Sequence, residues 1–214
     1  GVEAVRPPAL PAWPQGKFHH DIDLWVCAHG GAFAATGIDV GTRFLLGFLD
    51  QMAPDARVAI DLGCGTAILA AAVARSRPGI EVLASDESHA AVASARATAA
   101  ANGVEIEVVR DVGLSTRASA SADLVLLNPP FHTGQATDVD LGRAFLKVAA
   151  ASLKRGGKLL LVANRQLPYE AALEASGLVW RKLAEDRPAL TRVVGETRQA
   201  GRNDKFTVTV STRR

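Results

Sequence analysis

The sequence is poor in the features that staple, anchor or strongly charge a protein. Its two cysteines, Cys27 and Cys64, sit in unlike contexts with no second pair. Neither a disulfide framework nor a zinc knuckle is supported, no metal is expected, and a reducing cytoplasm fits. There is no run of about 18 apolar residues and no charged-then-apolar leader, which argues against a membrane span or a secretion signal. Charge of one sign is also missing: 24 Lys+Arg against 22 Asp+Glu leave a net +2, so global charge does not demand a nucleic-acid partner. No internal repeat is visible. The chain begins at Gly1 rather than methionine, as a trimmed protein or a piece of a longer one would.

What is present is a sizeable apolar fraction, 48% of 214 residues, which suits one single-core domain with a short appendage. Charge is unevenly spread. From Gly177 to Arg214 nine basic residues (Arg181, Lys182, Arg187, Arg192, Arg198, Arg202, Lys205, Arg213, Arg214) face four acidic ones (Glu185, Asp186, Glu196, Asp204). That end either meets an anionic polymer or is an ordinary solvated surface.

Prolines at 7, 8, 11 and 14 make the first fifteen residues an arm rather than a helix or ladder. Residues 1–35 are expected to form this arm with one or two short strands in "KFHHDIDLWV", and residues 36–214 the main domain. A helical stripe runs from Asp39 to Met52, closed by Pro54. Strand and helix then alternate: "RVAIDL", "TAILAAAVARS", "IEVLAS", "SHAAVASARATAAAN", "VEIEVV", "DLVLLN", "VDLGRAFLKVAAASLK" capped by Gly156 and Gly157, "KLLLVA" and "LPYEAALEAS". Two strands, "LVWRKLAE" and "KFTVTVST", close the chain without a helix between them. The pattern predicts an α/β fold with a mostly parallel seven-stranded sheet, helices on both faces, and an antiparallel strand at its C-terminal end.

In "AIDLGCGTA", Asp61 ends the first parallel strand, and Gly63 and Gly65 form the turn into a helix. Glycines let the backbone turn sharply and let a ligand approach where a side chain would collide. Alone, such a pair also occurs in tight turns that bind nothing. Asp86 ends the next strand, 25 residues on, where an acid would accept ribose hydroxyls; a helix N-cap is the competing account. Asp111 and Val112 end the third strand, placed to hold an adenine through its amine and its ring. A dinucleotide carries a pyrophosphate, which the Asp61 carboxylate would repel, whereas an ammonium or sulfonium would be attracted. S-adenosylmethionine therefore fits better than NAD.

The stretch "DLVLLNPPFHTG" puts Asn128 after a buried strand, at the same sheet edge. Pro129 and Pro130 stiffen the turn and leave carbonyls free to accept. A planar exocyclic amine needs acceptors for its hydrogens, and the Asn128 oxygen with the Pro129 carbonyl would supply them, aiming the lone pair at a sulfonium methyl by positioning alone. Phe131 offers a face to an unstacked base, and His132 is a further candidate substrate contact or an ordinary loop histidine. Taken singly, each of these residues also has a purely structural reading as turn former, strand terminator or core.

Together "DLGCGTA", "LNPPFH", "TGIDVGTRFLL" and "VANRQLPYE" resemble the catalytic half of bacterial ribosomal RNA guanine-N2 methyltransferases of the RsmC/RlmG group, from about Gly30 to the end. Asn-Pro-Pro-aromatic turns also occur in adenine-N6 DNA methyltransferases and in glutamine methyltransferases of release factors, usually with tyrosine in fourth place; Phe131 followed by His132 leans toward the ribosomal group. The resemblance implies a Rossmann-like class I S-adenosylmethionine-dependent methyltransferase, with ribosomal RNA or a ribosomal subunit as partner. It also implies that Thr36 to Thr42 covers the cofactor's methionine end, with Asp39 and Thr42 as polar contacts; without it, Asp39 is simply a helix N-cap. Two departures stand out: Ala67 replaces the family's usual third glycine, and the additional N-terminal half of family members has no counterpart here. The chain is then a fragment, or a short relative that grips RNA with its Pro-rich arm and basic end. Other readings of the same motifs are a methyltransferase of protein glutamine or of adenine in nucleic acid, and a cofactor- or RNA-binding module without turnover.

Overall fold

The structure, a computed structural model, describes residues 12–111, 114–115, 119–129, 136–164, 169–185 and 206–213. Strands β1 (Gln15–His19) and β2 (Leu24–Ala28) form an antiparallel hairpin. There follow α1 (Val40–Leu46), a 3-10 turn (Leu49–Gln51), β3 (Val58–Leu62), α2 (Ile68–Ser76), β4 (Glu81–Asp86), α3 (His89–Ala101), β5 (Glu107–Arg110) and β6 (Ala122–Leu127). The chain ends with α4 (Ala136–Ser152), β7 (Leu153–Asn164), α5 (Tyr169–Ala175), β8 (Leu178–Glu185) and β9 (Phe206–Arg213).

Seven strands form one sheet in the order β5-β4-β3-β6-β7-β9-β8. The first five are parallel, while β9 runs antiparallel to both β7 and β8. Successive residues of a strand point to opposite faces, and both faces are covered, so the strands read as continuous apolar runs rather than as alternation. Leu124 and Leu126 of β6 join the core under α1, α2 and α3. Val125 and Leu127 join the core under α4 and α5. All four are 0% exposed; truncating such a leucine to alanine costs about 2–5 kcal/mol.

The hairpin is fastened to the sheet domain through α3. Ser94, Thr98 and Asn102 lie four residues apart on one helix face and bond the free edge of β2. Ser94 Oγ accepts from His29 N at 2.8 Å. Thr98 Oγ1 accepts from Cys27 N at 3.0 Å and donates to Cys27 O at 3.2 Å. Asn102 Oδ1 accepts from Trp25 N at 2.9 Å, and its Nδ2 donates to Trp25 O at 2.8 Å. Four helical residues rise about 6 Å and two strand residues about 6.6 Å, so one helix face matches the strand's repeat and stands in for a neighbouring strand.

Two local expectations need correction. The helix expected over Asp39 to Met52 stops at Leu46, because Gly47 ends it and Arg77 takes the carbonyls of Leu49 (2.5 Å), Met52 (2.8 Å) and Ala53 (3.0 Å). Gly156 and Gly157 do not cap α4: the helix gives way to β7 at Leu153, and both glycines lie in that strand. Ala122 pairs with Leu153 and Leu124 with Lys158, so β7 bulges out by several residues here. Gly156 takes φ +79° in this bulge, a conformation glycine adopts without strain.

Candidate functional site

The strand order reverses between β3 and β6, which opens a crevice beyond their carboxyl ends. Leu62 pairs with Leu127, so Gly63 and Asn128 leave the sheet side by side. Gly63 and Gly65 have φ of +72° and +54°. The N–H groups of Gly63 and Cys64 both donate to Ser85 O, at 2.8 and 2.9 Å. A side chain on Gly65 would have no heavy atom within 4 Å, whereas one on Gly63 would stand 3.3 Å from Phe145 Cε1 of α4. The turn is thus open at Gly65 and walled at Gly63. Ala67, at the family's third-glycine place, has φ +58° and caps α2 without a side-chain bond. The missing cap comes from the preceding strand, since Asp61 Oδ2 accepts from Ala70 N at 3.0 Å.

Three acidic residues end successive strands at this edge. Asp61 is 2% exposed, beneath the turn rather than on its rim. Burial pushes its carboxyl from 3.8 up to about 7, against the Ala70 N–H bond and with help from the Asp86 charge. Asp86 ties β4 to the glycine turn: its Oδ2 accepts from Gly65 N at 2.9 Å and its Oδ1 from Ser88 N at 2.8 Å. It is not the helix N-cap offered as its competing account; Ser88 is, accepting from Ala91 N. Asp111 Oδ1 accepts from Ser115 Oγ at 2.7 Å, and Asp111 N donates to Asp86 O at 3.1 Å.

Asn128 is half-buried and its amide is held from one side. Nδ2 donates to Asp39 Oδ1 at 3.1 Å and to Thr42 Oγ1 at 2.9 Å. A carboxylate accepts only, so the nitrogen must face Asp39, and both amide hydrogens are committed. Asp39 also caps α1, accepting from Thr42 N at 3.1 Å. Gly41 allows this approach: a Cβ there would stand 3.1 Å from Asp39 Oδ1 and 3.2 Å from Asn128 Oδ1. Asp39 and Thr42, expected as polar contacts of the cofactor's methionine end, also orient the asparagine.

Of the residues named from sequence, Asp39, Thr42, Asp61, Gly63, Gly65, Asp86, Asp111 and Asn128 converge on this edge, and Pro129 is buried directly after Asn128. Val112, Pro130, Phe131 and His132 lie outside the described residues. Gly41, Ser88 and Phe145 were missed. Gly41, two residues past an N-cap aspartate, and Ser88, a serine directly before a helical run, each offered a local signal; Phe145 offered none without its spatial neighbours.

The family model of the methyltransferase small domain matches residues 23–210. Among curated relatives, ribosomal RNA large subunit methyltransferase G of Streptomyces avermitilis is 46% identical over 151 residues, covering 69% of this chain and 39% of that protein. Ribosomal RNA small subunit methyltransferase C of Serratia proteamaculans is 36% identical over 164 residues, covering 77% and 46%. The solved 16S ribosomal RNA guanine-N2 methyltransferase RsmC of T. thermophilus, in complex with S-adenosylmethionine and guanosine, superposes with a TM-score of 0.75 at 27% identity. That match covers 97% of this chain and 52% of the other. The chain spans about half the length of these relatives. With its Rossmann-like class I methyltransferase fold, the chain belongs to the methyltransferase small domain family and, within it, to the RsmC/RlmG group.

Proposed function

We propose that this chain transfers a methyl group from S-adenosylmethionine to the exocyclic N2 amine of a guanine in ribosomal RNA. The observation that carries this reading is the Asn128 amide, fixed by Asp39 and Thr42 beside the glycine turn at the sheet's switch point. The residues present suit the cofactor. Gly65 leaves the turn open to a ligand, and the carboxylates of Asp61, Asp86 and Asp111 gather at one edge, where they favour a cation over a pyrophosphate. Asp61 would attract the ammonium end through its charge from beneath the turn, with Asp86 at the ribose and Asp111 and Val112 at the adenine.

When bound, S-adenosylmethionine supplies a methyl group on a positively charged sulfur. The chain's part is positioning. With both Nδ2 hydrogens committed, Asn128 Oδ1 is the group that accepts from an incoming amine, and the Pro129 carbonyl is the second acceptor. Holding both N–H bonds leaves the amine's lone pair as the nucleophile, and no strong base is needed. Phe131 and His132 would hold the base, with Pro130 shaping the turn between.

The test is methyl transfer from labelled cofactor to ribosomal subunits lacking the modification, followed by mass mapping of the product nucleotide. Product at guanine N2, lost in Asn128→Ala with cofactor affinity retained, is the expected result. Transfer undiminished in that variant would remove the role assigned to Asn128.

A further inference from the structure

At the opposite, amino edge of the sheet, the residues before and within β3, β6, β7 and β8 enclose a cleft of ≈ 640 Å³. One wall is the 52–56 segment, held in shape by the Arg77 guanidinium on the carbonyls of Met52 and Ala53. The facing wall is the β7 bulge. Gly157 permits it, for a Cβ there would stand 2.9 Å from Lys154 O and 3.0 Å from Ala122 O. The bulge is therefore a fixed element that carries Arg155 into the cleft, which Arg181 of β8 also lines.

The charge in this cleft is one-sided once its internal pair is removed. Asp123 is spent on the fold: Oδ1 takes Lys154 Nζ at 2.7 Å and Oδ2 takes the N–H groups of Arg57 and Val58, both at 2.9 Å. Arg155 and Arg181 then stand with Asp55 among the described charged side chains that line it, beside Lys158. Both arginines are exposed, and half-buried Trp180 lines the space between them and the core. Guanidinium forks match phosphate oxygens, and an indole beside them suits a base. Part of the basic excess in the C-terminal stretch of the sequence thus acquires a place.

We infer that this cleft is a second RNA contact that holds a phosphodiester segment of the substrate, about 20 Å along β7 from the edge where methyl transfer occurs. It rests on the proposed activity for the identity of the RNA. A single nucleoside bridges no such distance, so the cleft distinguishes polynucleotide from nucleoside substrates. It raises affinity for RNA without touching the cofactor site.

The experiment compares the protein with the double variant Arg155→Glu/Arg181→Glu in equilibrium binding to a fluorescent ribosomal RNA fragment across salt concentrations. The expected result is an affinity loss of about tenfold or more, with a salt slope reduced by about two counterions. Arg155→Lys/Arg181→Lys should keep the slope, and calorimetry should find cofactor affinity unchanged in both variants. Unaltered RNA affinity and slope in the charge-reversed protein, or no RNA affinity in the starting protein, would overturn the inference. Methyl transfer is read separately: RNA binding that depends on these arginines without any transfer to that RNA supports the cleft and removes the proposed activity instead.

Discussion

Asn128 Nδ2 donates to Asp39 Oδ1 across 3.1 Å, although 89 residues separate them. The same carboxylate oxygen caps α1 through Thr42 N, so the start of one helix and the orientation of one amide are a single arrangement. Whatever moves Asp39 moves the acceptor that Asn128 presents.

Thr42→Val removes one of the two acceptors for Asn128 Nδ2 while keeping side-chain volume. The amide is then free to rotate, and the turnover number is expected to fall roughly tenfold, as for a positioning group displaced by less than 1 Å. Cofactor affinity by calorimetry should change far less. Equal losses in both would mean that Thr42 serves the cofactor directly.

Gly41→Ala tests the same arrangement by steric pressure. The new methyl meets Asp39 Oδ1 at 3.1 Å and Asn128 Oδ1 at 3.2 Å, and one of them must yield by a few tenths of an ångström. Alanine is otherwise a better helix residue than glycine by about 1 kcal/mol. Thermal melts should therefore hold while methyl transfer drops several-fold. A variant with full activity would show that the amide has room to spare.

Asp61 links stability to pH. Burial raises its carboxyl to about 7 in the folded chain against 3.8 ordinarily, so the folded state binds the proton more tightly than the unfolded one. The contribution is fully present below about pH 4 and is lost as pH rises through 7. At one pKa unit per 1.36 kcal/mol the loss is of order 4 kcal/mol. Asp61→Asn retains an acceptor for Ala70 N without the charge. Urea melts should find the variant more stable than the parent at pH 8 and nearly equal at pH 4, with weaker cofactor binding. Parallel pH profiles for the two proteins would contradict the buried charge.

Thr98→Val should loosen the hairpin and leave the sheet intact. The hydroxyl makes both bonds to Cys27, and stranding those backbone groups costs about 1–3 kcal/mol. Hydrogen exchange is expected to speed up in β2 while β3 and β6 keep their protection. His19 Nε2 contacts Thr36 O at 2.7 Å, so exchange should also rise in the loop leading to Asp39.

The alternation of apolar runs and helical stripes was enough to order the elements, and the final two strands pair antiparallel as expected. The misread places were those where a local signal had two meanings. Gly156 and Gly157 look alike as a helix stop and as a strand bulge, and only the pairing of β7 with β6 separates the two. Asp86 carried two accounts, an acceptor for a ligand at the glycine turn and a helix N-cap; Ser88 takes the cap, and Asp86 bonds Gly65 N of the turn.

Sequence by itself determined the residue types at each strand end, because strand period, helix period and turn chemistry depend on neighbours two to four positions away. It named Asp61, Gly63, Gly65, Asp86, Asp111 and Asn128 for that reason. Only the folded chain decided which of these groups touch. Asp39 orienting Asn128, α3 standing in for a strand beside β2, and Asp123 accepting from Arg57, Val58 and Lys154 all join residues dozens of positions apart. Such contacts follow from sheet order and helix packing, which no short stretch of sequence encodes.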